Sequence, residues 1–208
     1  VTLTATNTVS VNGAYDISTA TFVQDFSVSS QETSPSGVTF NNDGTKMYVV
    51  GDAGNDINEY SLSTAFDVST ASYVVRRGVS YETNPSGMSF NNDGTKMFVI
   101  GYNSDFVFEY DLTTAFDINT ASFAGTAEGK YVRSQELTPS GMAFNNDGTK
   151  MFIVGSSGDE VNEYSLSTAF DVSSASHTQF FSVSSEDSNP LGISFNNCLL
   201  YTSDAADD

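Results

Sequence analysis

The sequence predicts an all-β chain in which small four-stranded antiparallel sheets stack about a common axis. Two observations carry this. The string F-N-N-D-G-T-K-M-[YF]-[VI]-[VI]-G occurs at Phe40–Gly51, Phe90–Gly101 and Phe144–Gly155, and opens again at Phe195-Asn196-Asn197. The glycine of P-[SL]-G recurs at Gly37, Gly87, Gly141 and Gly192, spacings of 50, 54 and 51 residues. A unit of that length suits one four-stranded blade of a β-propeller, and no long stretch shows helical periodicity. The expected architecture is a propeller arc, with about three full blades plus partial ones in an incomplete ring.

Each unit reads as four strands. Strand a, for example Gly87–Asn91, leads into the turn Asn92-Asp93-Gly94-Thr95, where glycine supplies the positive φ of a tight hairpin, and strand b follows at Lys96–Gly101. A Gly/Asn/Asp loop comes next: Gly51–Asp56, Gly101–Asp105 and Gly155–Glu160. Strand c is Ile57–Leu62, Phe106–Leu112 and Val161–Leu166. The segment S-T-A-F-D-V-S-[TS]-A-S, at Ser63–Ser72 and Ser167–Ser176, offers Asp67 and Asp171 as side-chain caps of a short turn, with Phe66, Phe116 and Phe170 expected in the core. Strand d is expected at Tyr73–Ser80, Phe123–Arg133 and His177–Ser184, the extra residues of the second unit falling in a loop or bulge near Ala124–Gly129.

The N-terminal part fits the same frame: Ala14–Phe22 matches the A-F-D-V-S-T-A-S segment and Phe22–Ser29 matches strand d. Residues 14–197 are therefore expected to form one array, with residues 1–13 an extension or a degenerate strand. A twisted sheet cannot bury both faces alone, so blades cover one another. Phe40, Phe90, Phe144 and Phe195 would form one column of that contact, and Tyr60, Tyr110 and Tyr164 another.

The fourth copy breaks after Asn197 into Cys198–Asp208, which resembles the translated read-through of a sequencing-library adapter. On that reading the segment is a scar, the natural chain continued past Asn197, and the only cysteine, Cys198, has no role. Val1 opens the chain without an initiator methionine or a signal-peptide pattern, so the start is read as a processing site or a truncation. An open arc of this kind is expected to expose sticky blade faces at both ends.

Seven Lys and Arg stand against 26 Asp and Glu, a formal net charge of −19. Nucleic acid is disfavoured, because phosphate binding needs clustered cations. An anionic membrane surface is disfavoured likewise, and no apolar run is long enough for a membrane-spanning helix.

The residues resemble those of Trp-Asp-repeat and Tyr-Val-Thr-Asn-type β-propellers. Gly141–Phe152 is similar to the a–b hairpin of those blades. Val107–Thr114 is similar to their strand c, with Tyr110 in the tryptophan place and Asp111 in the aspartate place. Ser61 and Ser165 replace that aspartate in the other units, and the histidine of that family's hydrogen-bond relay has no counterpart. The likeness is strongest to D-G-T-K-M-[FY]-V-x-G repeats of bacterial surface proteins and phage tail or fibre proteins. It implies a fold; propellers host many functions.

Candidate sites are few. His177, the sole histidine, heads strand d where Phe22, Tyr73 and Phe123 stand in the other units, so a packing role is expected. No zinc ligand set, nucleophile elbow or phosphate-cradling loop is present, and no catalytic residue or cofactor is assigned. The b–c and d–a loops are expected on one face, carrying Asp52, Asp56, Asp105, Asp159 and Glu160, with Glu32, Glu82, Glu136, Glu186 and Asp187. That acidic face is the candidate site for Ca²⁺, or for a cationic or hydroxyl-rich ligand such as a glycan, although the D-x-D-x-D-G spacing of dedicated calcium loops is missing. Lys46, Lys96 and Lys150 on the opposite face are expected in weak surface pairs with local carboxylates. The expected function is a non-enzymatic binding or adhesion module, with a protein or glycan ligand, in a secreted, surface or virion-associated protein. The alternative is a fragment of a lactonase-like or other hydrolytic propeller.

Overall fold

A computed structural model of the chain describes Ser18 and residues 20–195. The expected N-terminal extension, the Asn196-Asn197 continuation and the adapter-like segment lie outside the described residues.

Three sheets follow one another, each a simple up-and-down meander. Blade I comprises β1 (Pro35–Phe40), β2 (Lys46–Gly51), β3 (Asp56–Leu62) and β4 (Ala71–Gly78). Blade II comprises β5 (Pro85–Phe90), β6 (Lys96–Gly101), β7 (Phe106–Leu112) and β8 (Ala121–Phe123), with β9 (Lys130–Tyr131) also paired to β7. Blade III comprises β10 (Pro139–Phe144), β11 (Lys150–Gly155), β12 (Glu160–Leu166) and β13 (Ala175–Ser182). The sheets do not close on one another, so the expected propeller arc stands. The strands d of blades I and III begin two residues earlier than the sequence suggests. In blade II the insertion splits strand d, with a 3-10 turn at Thr126–Glu128 between β8 and β9.

The a–b hairpin forms because its side chains close it. Thr45 N–H donates to Asp43 Oδ1 at 2.9 Å and Lys46 N–H to Asn41 Oδ1 at 2.8 Å. Gly44, Gly94 and Gly148 take φ of 71°, 72° and 69°, a region costly for a residue with a Cβ. At Gly94 an added Cβ would also lie 2.3 Å from the Phe116 ring. Phe66, Phe116 and Phe170 reach this position from left-handed backbone conformations of their own. They are lids on the hairpin glycine rather than deep core residues, and Phe66 is 58% exposed. The aspartate that follows each caps the next 3-10 turn as anticipated: Asp67 Oδ1 accepts from Ser69 N–H at 3.1 Å.

Blades are joined by packing and by three sets of directional bonds. Tyr48, Val50 and Ile57 of blade I bury against Met97, Val99 and Tyr110 of blade II. Phe98, Ile100 and Val107 of blade II do the same against Met151, Ile153 and Tyr164. Each such side chain contributes about 1.5–3 kcal/mol. The phenylalanine column is real: Phe90 packs on Tyr48 and Phe116, and Phe144 on Phe98 and Phe170, in equivalent surroundings. Near the axis, Ser36 Oγ donates to Pro85 O at 2.8 Å, Ser86 Oγ to Pro139 O at 3.0 Å and Ser140 Oγ to Pro190 O at 2.8 Å. On the hairpin face, Asn42 Nδ2 donates to Asn92 O and Asn92 Nδ2 to Asn146 O, both at 2.6 Å.

The third set corrects the expectation of weak surface pairs. Glu59 and Glu109 are each only 2% exposed. Lys46 sits 2.8 Å from Glu59 and also donates to Phe116 O of blade II at 2.8 Å, where the Tyr48 hydroxyl donates too. Glu59 Oε2 accepts from Ile118 N–H at 3.3 Å. The pair is therefore a buried inter-blade clasp. Lys96 and Glu109 form the same ion pair in blade II, without the inter-blade bonds of Lys46 and Tyr48.

Candidate functional site: the loop rim

The d–a and b–c loops do meet on one face, and the structure shows what brings them together. Glu82 is fully buried. Its Oε1 accepts from Asn84 N–H at 2.8 Å and Asn103 N–H at 3.3 Å, and its Oε2 accepts from Ser104 N–H at 3.2 Å and from the Ser104 hydroxyl. One carboxylate thus ties its own d–a loop to the b–c loop of the blade that follows. Glu136 does the same through Thr138 N–H (2.9 Å), Ser157 N–H (3.0 Å) and Gly158 N–H (3.2 Å). Glu32 does so through Ser34 N–H (2.6 Å) and Ala53 N–H (3.3 Å).

The acidic face is consequently less acidic at its surface than the sequence implies. Glu32, Glu82 and Glu136 lie beneath the rim, no more than 1% exposed, and Asp56 and Asp105 are 3% exposed. Asp159 and Glu160 are half-buried, whereas Asp52, Glu186 and Asp187 are exposed. The residue equivalent to the buried glutamates in the fourth copy is Asp187, not Glu186, because Asp187 Oδ1 accepts from Asn189 N–H at 2.9 Å in the same register. That register was legible: each of these acids stands three residues before the proline of P-[SL]-G.

The buried aspartates have their own partners. Asp56 accepts from Asn58 Nδ2 at 2.7 Å and lies 3.7 Å from Arg76. Desolvation raises its pKa above the ordinary aspartate value, against the lowering effect of Asn58 and Arg76. Asp105 Oδ2 pairs with Arg133 at 2.5 Å. His177 packs edge-on against Tyr164 at 5.4 Å and meets Asn162 Oδ1 at 3.2 Å, as a packing residue would.

Blade II departs from the others in one spot that sequence reasoning passed over. The Tyr60 and Tyr164 hydroxyls donate to Gln31 and Gln135 at 3.4 Å. Tyr81 stands in the glutamine's place in blade II, stacked on Phe123 at 4.0 Å, and the buried Tyr110 hydroxyl has no partner. Aligning the d–a loops on their prolines reveals the exchange.

At the axis, strands a line a shallow cavity of about 370 Å³ with serine, glycine and apolar side chains, among them Ser36, Met88, Ser140 and Met142. Among the described residues no three His, Cys, Asp or Glu side chains converge in a metal-holding group, and no helix is long and apolar enough to cross a membrane.

The hairpin aspartates give a pH prediction. Asp43, Asp93 and Asp147 are held below the ordinary value of 3.8, first by the threonine hydroxyl two residues on and then by its N–H. A lowered folded pKa adds stability that is present above the unfolded value and lost as pH falls through the folded one. Thermal melts should therefore fall below pH 4, and the triple Asp→Asn variant should show a shallower acid limb. An unchanged limb would refute it.

No family model matches this chain, and no curated protein matches it. Solved structures do. A protein named "putative 6-phosphogluconolactonase" from Bacteroides fragilis aligns over 76% of this chain and 40% of its own, with TM-score 0.55 and 11% identity. A second so named, from Bacteroides uniformis, aligns over 72% and 40%, with TM-score 0.51 and 10% identity. A protein from Lactobacillus plantarum aligns over 70% and 41%, with TM-score 0.51 and 12% identity. At such identity the likeness shows the fold alone, and the chain spans about two fifths of the length of these proteins. It nevertheless corrects one expectation. The chain is expected from its sequence to be non-enzymatic, but chains sharing this fold carry the name of a lactonase, so the fold does not set an enzyme aside.

Proposed function

We propose that the chain is a ligand-binding module of a secreted, cell-surface or virion-associated protein, and that the loop rim is its binding face. The observation that carries this reading is the contrast between rim base and rim tip. The base repeats from blade to blade, with Glu32, Glu82 and Glu136 locking the loops to one another. The tips differ: Asp52-Ala53-Gly54-Asn55, Tyr102-Asn103-Ser104-Asp105 and Ser156-Ser157-Gly158-Asp159. Preorganised loops with varied polar tips bind at low ordering cost. Hydroxyl, amide and carboxylate groups suit a glycan or a basic protein surface, and the net charge of −19 works against nucleic acid. Immobilised chain should show saturable binding to members of a glycan array or to basic proteins, weakened by Asp52→Ala and Tyr102→Ala. Binding unaffected by changes at the tips would refute the rim as the site.

The lactonase-named structures favour a second reading, in which the chain is part of a lactone-hydrolysing propeller. Turnover of 6-phosphogluconolactone above the spontaneous rate, insensitive to the same tip substitutions, would support it over the first.

A further inference from the structure

The b–c loops of the three blades end alike. Asn55, Asp105 and Asp159 all take left-handed backbone, with φ of 49°, 52° and 51°. Their carbonyls accept equivalent bonds from Val79, Val132 and Val183, at 2.9, 2.9 and 2.8 Å. The side chains therefore occupy matching positions, but their chemistry differs. In blade I the neighbours assign the Asn55 amide so that its nitrogen donates to two backbone carbonyls, Asp52 O at 3.2 Å and Thr83 O at 2.6 Å. In blades II and III an aspartate presents only oxygen there. Asp105 is 3% exposed, and its Oδ1 is buried without a hydrogen-bond partner. Asp159 Oδ1 is buried without one as well. The carbonyls equivalent to those that Asn55 bridges belong to Tyr102 and Leu137 in blade II, and to Ser156 and Ser188 in blade III.

A carboxylate facing carbonyls is unfavourable unless something positive or protic lies between them. The geometry points to a pair of small hard-cation sites, Ca²⁺ being the best match, each built from one aspartate oxygen and the backbone carbonyls equivalent to the two that the Asn55 amide bridges in blade I. Oxygen-only ligands are what calcium takes, with water completing the shell. No three carboxylates converge among the described residues, so affinity should be weak, about 0.1–1 mM, as in extracellular modules. The two sites should also differ. Arg133 already holds the other oxygen of Asp105. The corresponding residue in blade III is Ser184, which carries no positive charge, and Glu160 follows Asp159 directly in the chain. Blade III is the stronger site.

The test titrates CaCl₂, with MgCl₂ in parallel, into the chelator-treated full chain by calorimetry and by thermal melting. Calcium should release or absorb heat and raise the melting temperature by about 2–5 °C. Asp159→Asn should remove most of that response, and Asp105→Asn with it the remainder. Both copy the blade I amide, so the variants should fold and melt above the untreated wild type without cation. Arg133→Ser should strengthen the blade II response. Absence of heat and of a melting shift at 10-fold the expected dissociation constant would overturn the proposal, leaving water or a proton as the occupant. So would an equal calcium response in the double variant, which would place any bound ion elsewhere.

Discussion

Glu82→Ala should destabilise the chain by about 3 kcal/mol or more, the largest effect of any single truncation on the rim. Three backbone N–H groups, on Asn84, Asn103 and Ser104, end on this one carboxylate. Each buried donor left without an acceptor costs about 1–3 kcal/mol, and the cavity admits water to only some of them. Glu82→Gln keeps the shape and one acceptor oxygen, and should recover part of the loss. The glycine facing this group shows how little slack exists, since a Cβ on Gly101 would lie 2.5 Å from Glu82 Cγ and 2.3 Å from Asn84 O. Chemical denaturation of the three proteins checks this. An alanine variant within 1 kcal/mol of wild type would show that the bonds are dispensable. Rim binding should weaken with stability, because Glu82 holds the backbone of the Asn103-Ser104 tip in place.

Lys96→Met is the second large effect, and it comes with an internal control. Glu109 is buried and Lys96 is its cationic partner. Removing one member of a buried pair leaves an uncompensated charge, which costs about 3–5 kcal/mol. About 3 kcal/mol is expected, because the Lys96 side chain is 31% exposed. Lys150→Met removes the same bond in blade III, where the side chains are 46% and 16% exposed, and should cost less than about 1 kcal/mol. Burial already raises the Glu109 pKa above the ordinary glutamate value, with Lys96 opposing. A raised acid is favoured in its protonated form by the folded state, so its stabilisation is gained as pH falls and lost as pH rises through the folded value. Losing Lys96 pushes that value higher. The penalty of Lys96→Met should accordingly shrink in mild acid, while that of Lys150→Met should not.

The fold was legible because the repeat restates it. The Asp-Gly hairpin, the capping aspartate of A-F-D-V and the column of phenylalanines each encode a local or next-neighbour contact, and each recurs at a fixed spacing. The rim was less legible. Net charge counts carboxylates without saying where they point, so Glu32, Glu82 and Glu136 read as surface acids when they are the internal ties of the loops. The same blindness made Lys46 and Lys96 look like surface residues. Nothing in D-G-T-K tells that the lysine will reach the carbonyl of a phenylalanine seventy residues away. The clue was the invariant glutamate of [NF]-E-Y, which sits opposite an aromatic of strand b in register and has no reason to be charged unless it meets a partner.

The hydroxyl, amide and ammonium ties between blades run one way, against a backbone bond donated back from Ile118 N–H to Glu59. Ser36, Asn42 and Lys46 donate forward to blade II, and Ser86 and Asn92 donate forward to blade III. A module built like this has polarity, as a zip or a row of roof tiles has. Its leading edge offers hydroxyl, amide and ammonium protons, and its trailing edge offers carbonyl lone pairs. Unlike edges match in hydrogen-bonding sense, so head-to-tail extension around the axis continues the bonds already made between blades, whereas two leading edges would have to find new partners.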